Sequence, residues 1–269
     1  MLKNGKKVSA VIPIYNEELT LEGVLNNLLS CDMLDEVICV NDGSTDGSEE
    51  ILATFGTKIK KVSYTINKGK GYAMVEGTEA AVGDLIIFLD ADFTNLECKH
   101  VHSLLEPLED DAVEAVAATL IEKGPKVILN EICGQRVYYR KDIVPLYHKM
   151  RTSRWGVELL LNKAFSKKNV VRVHLDKEIG HLNKHDKHPP LAAIQEYLME
   201  GIEMAQELLN VEPVSKEDRK ILKAINETKD FIDFERRIKK LKDKKIRGVL
   251  TEYVKKYLKI DPKNIWPSN

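Results

Sequence analysis

The 269-residue chain has no apolar run near the roughly 18 residues that a membrane-crossing helix requires. Net charge is almost absent. Its 41 basic and 42 acidic residues leave −1, so the chain does not read as a nucleic-acid binder. Cysteine is sparse: Cys31, Cys39, Cys98 and Cys133 are scattered without a CxxC pair. That argues against a disulfide scaffold and predicts reduced thiols in a cytoplasmic protein. The opening MLKNGKKVSAVIPIYN sets basic residues before an apolar stretch, but Pro13 and Asn16 interrupt it too early for a signal peptide. No GxxxxGK[ST] loop is present and no GxGxxG follows the first apolar run, which disfavours Walker-type and dinucleotide-binding sites. With 43% hydrophobic and 31% charged residues, wholesale disorder is also excluded.

The charge is unevenly placed. Residues 1–100 hold 9 basic and 16 acidic residues, a balance of −7, whereas residues 201–269 hold 17 and 12, or +5. An acidic front suits cation binding, and a basic rear suits phosphates or an anionic surface.

Short apolar runs at 8–14, 36–40, 59–65 and 84–89 alternate with helical patterns at 17–29, 46–55 and 71–82. In the first helix Leu21, Val24, Leu25 and Leu28 share one face. Continuous apolar strands between amphipathic helices predict an α/β fold whose parallel sheet is covered on both faces. Further on, 97–108 and 155–165 read as helices, and 113–120 and 170–175 as strands. After Pro189–Pro190 the pattern is helical to about residue 258, with breaks near Pro213 and Gly248. The expected division is a catalytic α/β domain over 1–188 and a helical extension over 189–269.

In open parallel sheets, ligands sit at the carboxyl ends of the strands. Here the first four strands end in polar clusters: Pro13-Ile14-Tyr15-Asn16-Glu17, Asn41-Asp42-Gly43-Ser44-Thr45-Asp46, Asn67-Lys68-Gly69-Lys70-Gly71 and Asp90-Ala91-Asp92. Two carboxylates around one small residue are costly without a cation, which points to Mg²⁺ or Mn²⁺ shared with a diphosphate. The competing reading is a helix cap by Asp92 or Thr94. The glycines at 69 and 71 let backbone amides approach a ligand at a helix start, where Lys70 offers a charge for phosphate. The 42–47 loop lacks the downstream glutamate of an EF-hand. It reads as a turn that caps the next helix through Ser44 or Asp46, with Asp42 facing the ligand.

The ordered set VSAVIPIYNEE, VNDGSTDGS, NKGKGYAM and GDLIIFLDADF resembles the N-terminal half of family 2 glycosyltransferases of the GT-A fold. The resemblance implies a Rossmann-like, mixed but mostly parallel sheet flanked by helices, and a nucleotide-sugar donor, most simply a UDP-hexose. It implies that Pro13, Ile14, Tyr15, Glu17 and Asp42 hold base and ribose. Gly69 and Lys70 lie near the diphosphate, and Asp90, Ala91 and Asp92 bind ribose and metal. Asn41 departs from the usual acid at its position. Three later segments are similar more faintly. CGQRVYYR places Gly134 and Arg136 on the acceptor side, RWGVELLLN places Glu158 beside the acceptor, and GHLNKHDKH offers His181 as a metal ligand and Lys184 as a phosphate partner. The WGVE spelling leans toward the glucosyl-3-phosphoglycerate synthase and mannosylglycerate synthase side of the family.

The resemblance thus implies catalytic roles for Glu158, Lys70 and Arg136, metal ligation by Asp90, Asp92 and His181, and a small anionic or lipid-phosphate acceptor. Arg136 and Arg140 suit an acceptor carrying phosphate or carboxylate. A polyprenyl-phosphate transferase, a non-catalytic nucleotide-sugar sensor, and zinc bound by His181 and His185 stay open. The basic stretch 231–247, with Phe231, Phe234, Ile238 and Leu241 at helical spacing, fits packing or a homodimer seam. The alternative is peripheral contact with the inner membrane face.

Overall fold

The computed structural model describes residues 5–119, 133–175, 180–181, 187 and 190–257. These fall into two compact units, one ending with His181 and the other formed by the helices from Pro190 onward. No helix among the described residues is long and apolar enough to cross a membrane.

The first unit is built on seven strands: β1 (Val8–Ile14), β2 (Glu36–Asp42), β3 (Lys60–Tyr64), β4 (Leu85–Phe88), β6 (Ala115–Thr119), β7 (Arg136–Tyr139) and β8 (Val170–His174). Their order is β3-β2-β1-β4-β7-β6-β8. The inner strands are almost wholly buried: β1 and β4 are apolar on both faces, as parallel strands covered by helices must be. Strand β3, at one edge, is lysine-bearing and largely exposed, which blunts the edge against further pairing. Helix α1 (Leu21–Leu29) buries Leu21, Val24, Leu25 and Leu28, the face its spacing predicts, at roughly 2 kcal/mol for each side chain. Helices α2 (Ser48–Thr54), α3 (Lys70–Ala80) and α4 (Cys98–Leu105) follow β2, β3 and β4 in sequence.

Two features go beyond the linear pattern. Strand β7 runs antiparallel to both β4 and β6, so the sheet is mixed and mostly parallel, as the resemblance implies, although RVYY by itself is too short to announce a strand. Beyond β7, α5 (Arg140–Ile143) and α6 (Tyr147–Ser153) lead into α7 (Val157–Ala164). A two-stranded ladder also joins β5 (Phe93–Thr94), just past β4, to β9 (Gly180–His181), with Phe93 opposite His181.

The cysteine expectation needs correction. Cys31, just past α1, is bonded to Cys98, the first residue of α4, across a separation of 67 residues. Scattered spacing could not reveal this pair, because only the fold brings the two helix ends together. Cys39 and Cys133 are free and buried.

In the second unit, α8 (Pro190–Val211) packs with α9 (Lys216–Ile225) and α11 (Lys244–Tyr257), and α10 (Phe231–Lys239) joins them. The break near Pro213 is present, but Gly248 lies inside α11; the remaining breaks fall at 226–230 and 240–243. Ser215 and Asp230 cap α9 and α10 through their side chains, which explains those starts. Phe234, Ile238 and Leu241 are buried, and α10 packs between α9 and α11.

Replacing both Cys31 and Cys98 by serine should lower the unfolding free energy by about 2–4 kcal/mol, through the larger freedom of the unfolded chain. Denaturant titration of the double variant, beside wild type with its thiols counted by alkylation, checks this. Unchanged stability would refute it.

Candidate functional site

The carboxyl ends of β1 and β2 are laced together. Asn16 N–H donates to Ser44 Oγ at 3.0 Å, Thr45 N–H to Asn16 Oδ1 at 2.8 Å, and Glu17 N–H to Ser48 Oγ at 2.9 Å. Asn16 takes a positive φ of 57° to make this turn. Tyr15 stands exposed on the rim, whereas Ile14 and Ala91 are buried. Asp46 accepts from Ser48 N–H at the start of α2, in keeping with the expected turn; Ser44 instead serves the β1 loop.

Asp42 braces a neighbouring loop. Its two oxygens accept from the N–H groups of Lys68 and Gly69 at 2.7 and 2.8 Å, bracing the loop that opens α3. Burial pushes the Asp42 carboxyl above its ordinary range, and these amide bonds pull against that rise. Asn41 is also spent locally. Its Nδ2 donates to Glu49 Oε2 at 2.7 Å and its Oδ1 accepts from Ser44 N–H, so an amide serves there in place of the usual acid.

Gly69 turns the chain at φ 96°, and a Cβ there would come within 2.9 Å of the Arg154 side chain. Only glycine meets both conditions. Arg154 itself has φ 46° and donates to Asn67 Oδ1 at 3.1 Å. The Trp155 ring lies 5.7 Å from Lys70 Nζ. The spacing of RWGVE gave no sign that Arg154 and Trp155 would wall the 67–71 loop.

At the centre of the site, Lys70 Nζ donates to Asp90 Oδ1 at 2.7 Å and to Glu158 Oε1 at 2.6 Å. These groups come from the start of α3, the end of β4 and the first turn of α7. Burial alone would lower the Lys70 pKa. The two carboxylates outweigh it and hold the ammonium above its ordinary range. Glu158 is 2% exposed, and its Oε2 is shielded with no hydrogen-bond partner. A Cβ on Gly134 would lie 2.1 Å from Asp90 Oδ2, so any larger residue there would displace this carboxylate.

Helix α4 is capped by Glu97, which forms a capping box with His100; neither Asp92 nor Thr94 is the cap. The competing explanation for Asp92 therefore lapses. The β5–β9 ladder brings the backbone of His181 beside Phe93, the residue that follows Asp92, although the two are 88 positions apart. The side chain of His181, together with Lys184 and His185, lies outside the described residues.

Arg136 is 1% exposed and lies under α7. Its Nε donates to Cys133 O at 2.6 Å, and its Nη1 donates to Asn162 Oδ1 at 2.7 Å and to Tyr138 Oη at 3.2 Å. Beside it opens a cavity of about 220 Å³, whose polar lining is Arg136, Tyr138, Asn162, Ser166, Lys168 and Arg172. Three of its lining residues are cationic and none is acidic. Arg140 points elsewhere, donating to the carbonyl of Ala81. The structure thus joins Lys70, Asp90 and Glu158 directly, holds Asp42 one step behind them, and sets Arg136 on the β7 side.

Comparison with known proteins places this arrangement. The family model for glycosyl transferase family 2 matches residues 9–167, more than half of the chain. An undecaprenyl-phosphate 4-deoxy-4-formamido-L-arabinose transferase of Aeromonas hydrophila is 45% identical over 98 residues, covering 34% of this chain and 30% of that protein. A glucosyl-3-phosphoglycerate synthase of Mycobacterium tuberculosis is 32% identical over 113 residues, 39% of this chain and 35% of that protein. The matched part thus spans only about a third of these relatives. The crystal structure of the M. tuberculosis synthase with Mn²⁺, uridine diphosphate and glucosyl-3-phosphoglycerate superposes with a TM-score of 0.60 at 24% identity. It covers 80% of this chain and 84% of that one, a likeness of fold. The mixed sheet with its flanking helices is the GT-A fold, and the chain belongs to glycosyl transferase family 2.

Proposed function

We propose that this protein is a metal-dependent hexosyltransferase. It takes a nucleotide-diphosphate sugar, most simply a UDP-hexose, as donor and an anionic acceptor. The observation that carries the reading is the shielded ammonium of Lys70 between Asp90 and Glu158, with the second oxygen of Glu158 shielded and without a partner. Asp90 and Glu158 share the Lys70 ammonium, with the Arg136 guanidinium also interacting with Glu158, and Asp92 brings a further carboxylate to the end of β4. An entering divalent cation balances that charge. Carboxylates with an imidazole are a donor set suited to Mg²⁺ or Mn²⁺, so Asp90, Asp92 and His181 are the residues to hold it. The ion, when bound, neutralises charge on the departing diphosphate.

The chain's own residues do the rest. The laced β1 and β2 loops, with Pro13, Ile14, Tyr15 and Glu17, form the edge that receives base and ribose. Asp42 acts through the 67–71 loop, fixing Gly69 and Lys70 for the diphosphate. Lys70 is held charged and near the leaving group. Lys184 supplies a further phosphate contact. Glu158, anchored by one oxygen, offers the other to the acceptor's attacking group, as base for a hydroxyl. An ionised phosphate acceptor needs only orientation.

Two acceptor classes fit. The cationic cavity beside Arg136 suits a small phosphorylated or carboxylated molecule, in line with the phosphoglycerate-derived product in the neighbouring structure. The undecaprenyl-phosphate transferases, one of them from Yersinia pestis and 29% identical over 203 residues, support a lipid phosphate met at a cytoplasmic membrane face.

UDP release from a panel of UDP-sugars, with Mn²⁺ and then with chelator, tests the reading; absence of metal-dependent release from every donor overturns it. Asp92→Ala should abolish that release while preserving the unfolding transition. Arg136→Lys keeps the charge but loses the planar fork, and should raise the acceptor KM about tenfold with little effect on the donor KM. An unchanged acceptor KM would remove Arg136 from the acceptor site. Lys70→Met should cost about 3 kcal/mol of stability by leaving Asp90 and Glu158 uncompensated. Because the folded-state pKa of Lys70 is raised, its contribution is fully present below its unfolded value and is lost only as pH rises above it. The deficit of the variant should therefore be constant from about pH 6 to about pH 9 in denaturant titrations.

A further inference from the structure

His174 closes β8 and has no part in the site described so far. Both of its ring nitrogens are shielded from solvent, and neither has a hydrogen-bond partner. An imidazole always carries at least one N–H donor, so this is a desolvation cost with no return in the free protein. Buried polar groups in native proteins are nearly always paired, and a doubly orphaned one calls for an explanation.

Its place in the sheet supplies one. Strand β8 runs parallel to β6 with His174 opposite Thr119 and Arg172 opposite Ala117. Ala117 in turn faces Arg136 on β7, and Ala118 N–H donates to Gln135 O, so continuing the register sets Thr119 level with Gly134. Gly134 is the residue seated against the Asp90 carboxylate. Asp90, Gly134, Thr119 and His174 therefore form a row across four neighbouring strands at the site end of the sheet. Alternate residues share a face. His174 accordingly lies on the face of Arg172 and Val170, which line the cationic cavity with Arg136. Three strand spacings, about 14 Å, separate its strand from that of Asp90.

We propose that His174 is an acceptor-binding residue. Its ring completes its hydrogen bonds with the oxygens of the acceptor's distal part, beyond the group that attacks beside Glu158. This rests on the glycosyltransferase reading and extends it. The acceptor carries hydroxyl, carboxylate or phosphate oxygens on the side away from its reacting atom, and it lies along β7, β6 and β8 over the cationic cavity.

A residue kept for a ligand and costly without one predicts opposite effects on stability and binding. In the full-length protein, His174→Leu should raise the melting temperature by roughly 3 °C, because an apolar side chain of similar size removes the orphaned groups. With UDP-glucose and Mn²⁺, the same variant should raise the KM for the acceptor about tenfold while leaving the donor KM within about twofold. His174→Gln, which keeps a donor and an acceptor, should recover most of that loss. Phosphoglyceric acid and undecaprenyl phosphate serve as the two acceptor probes, and the one whose KM moves identifies the class. A destabilised His174→Leu protein would assign the ring to structure and overturn the proposal, as would an unchanged acceptor KM. Failure of the wild type to release UDP from any donor would fall instead on the glycosyltransferase reading, and the melting arm would still judge His174.

Discussion

An ammonium withdrawn from water between two carboxylates sets the terms for the rest of this molecule. Lys70, Asp90 and Glu158 come from three elements and meet within hydrogen-bonding distance, with Glu158 only 2% exposed. Removing Lys70 leaves two carboxylates without their counterpart, which costs several kcal/mol. The fold must therefore deliver the first residue of α3, the end of β4 and the first turn of α7 to one point. Neighbouring β1 and β4 do the first part of this. The antiparallel β7 does the second, since it carries the chain back past Asp90 and on toward α7.

Around that cluster the structure spends its polar groups on rigidity. Asp42 pins two amides of the 67–71 loop, and Asn41 ties β2 to Glu49. Gly69 makes room for Arg154, and Gly134 makes room for the Asp90 carboxylate. The disulfide fixes the start of α4, six residues beyond Asp92, to the end of α1. A site that must hold several like charges close together needs such bracing, because the charges would otherwise relax apart.

Much of this was legible in the linear chain, and the reason is local. Apolar runs and helical spacing follow from backbone periodicity, so β1 to β4, α1 to α3 and the cluster at each strand end could be read directly. Four ordered motifs then pointed to one edge and one family. Legibility failed where an element was short or its partner distant. RVYY carries too little pattern to announce β7, and Cys31 and Cys98 look unrelated at 67 residues apart. The ladder of β5 with β9 is two residues long on each side. The caps of α4, α9 and α10 were present as Glu97, Ser215 and Asp230 but were not distinctive among many polar residues.

The sequence by itself determined the run of strands β1 to β4 with their helices, the identity of the acids and glycines at the carboxyl edge of the sheet, and the family. Those depend on residue type and near neighbours, which the order of residues states outright. Only the tertiary structure decided that Lys70 is shared by Asp90 and Glu158, that Asp42 braces the 67–71 loop, and that Arg136 lies buried under α7 beside a cationic cavity. Each of those is a contact between residues at least 20 positions apart. Its direction is set by sheet register and side-chain packing, which no single segment encodes.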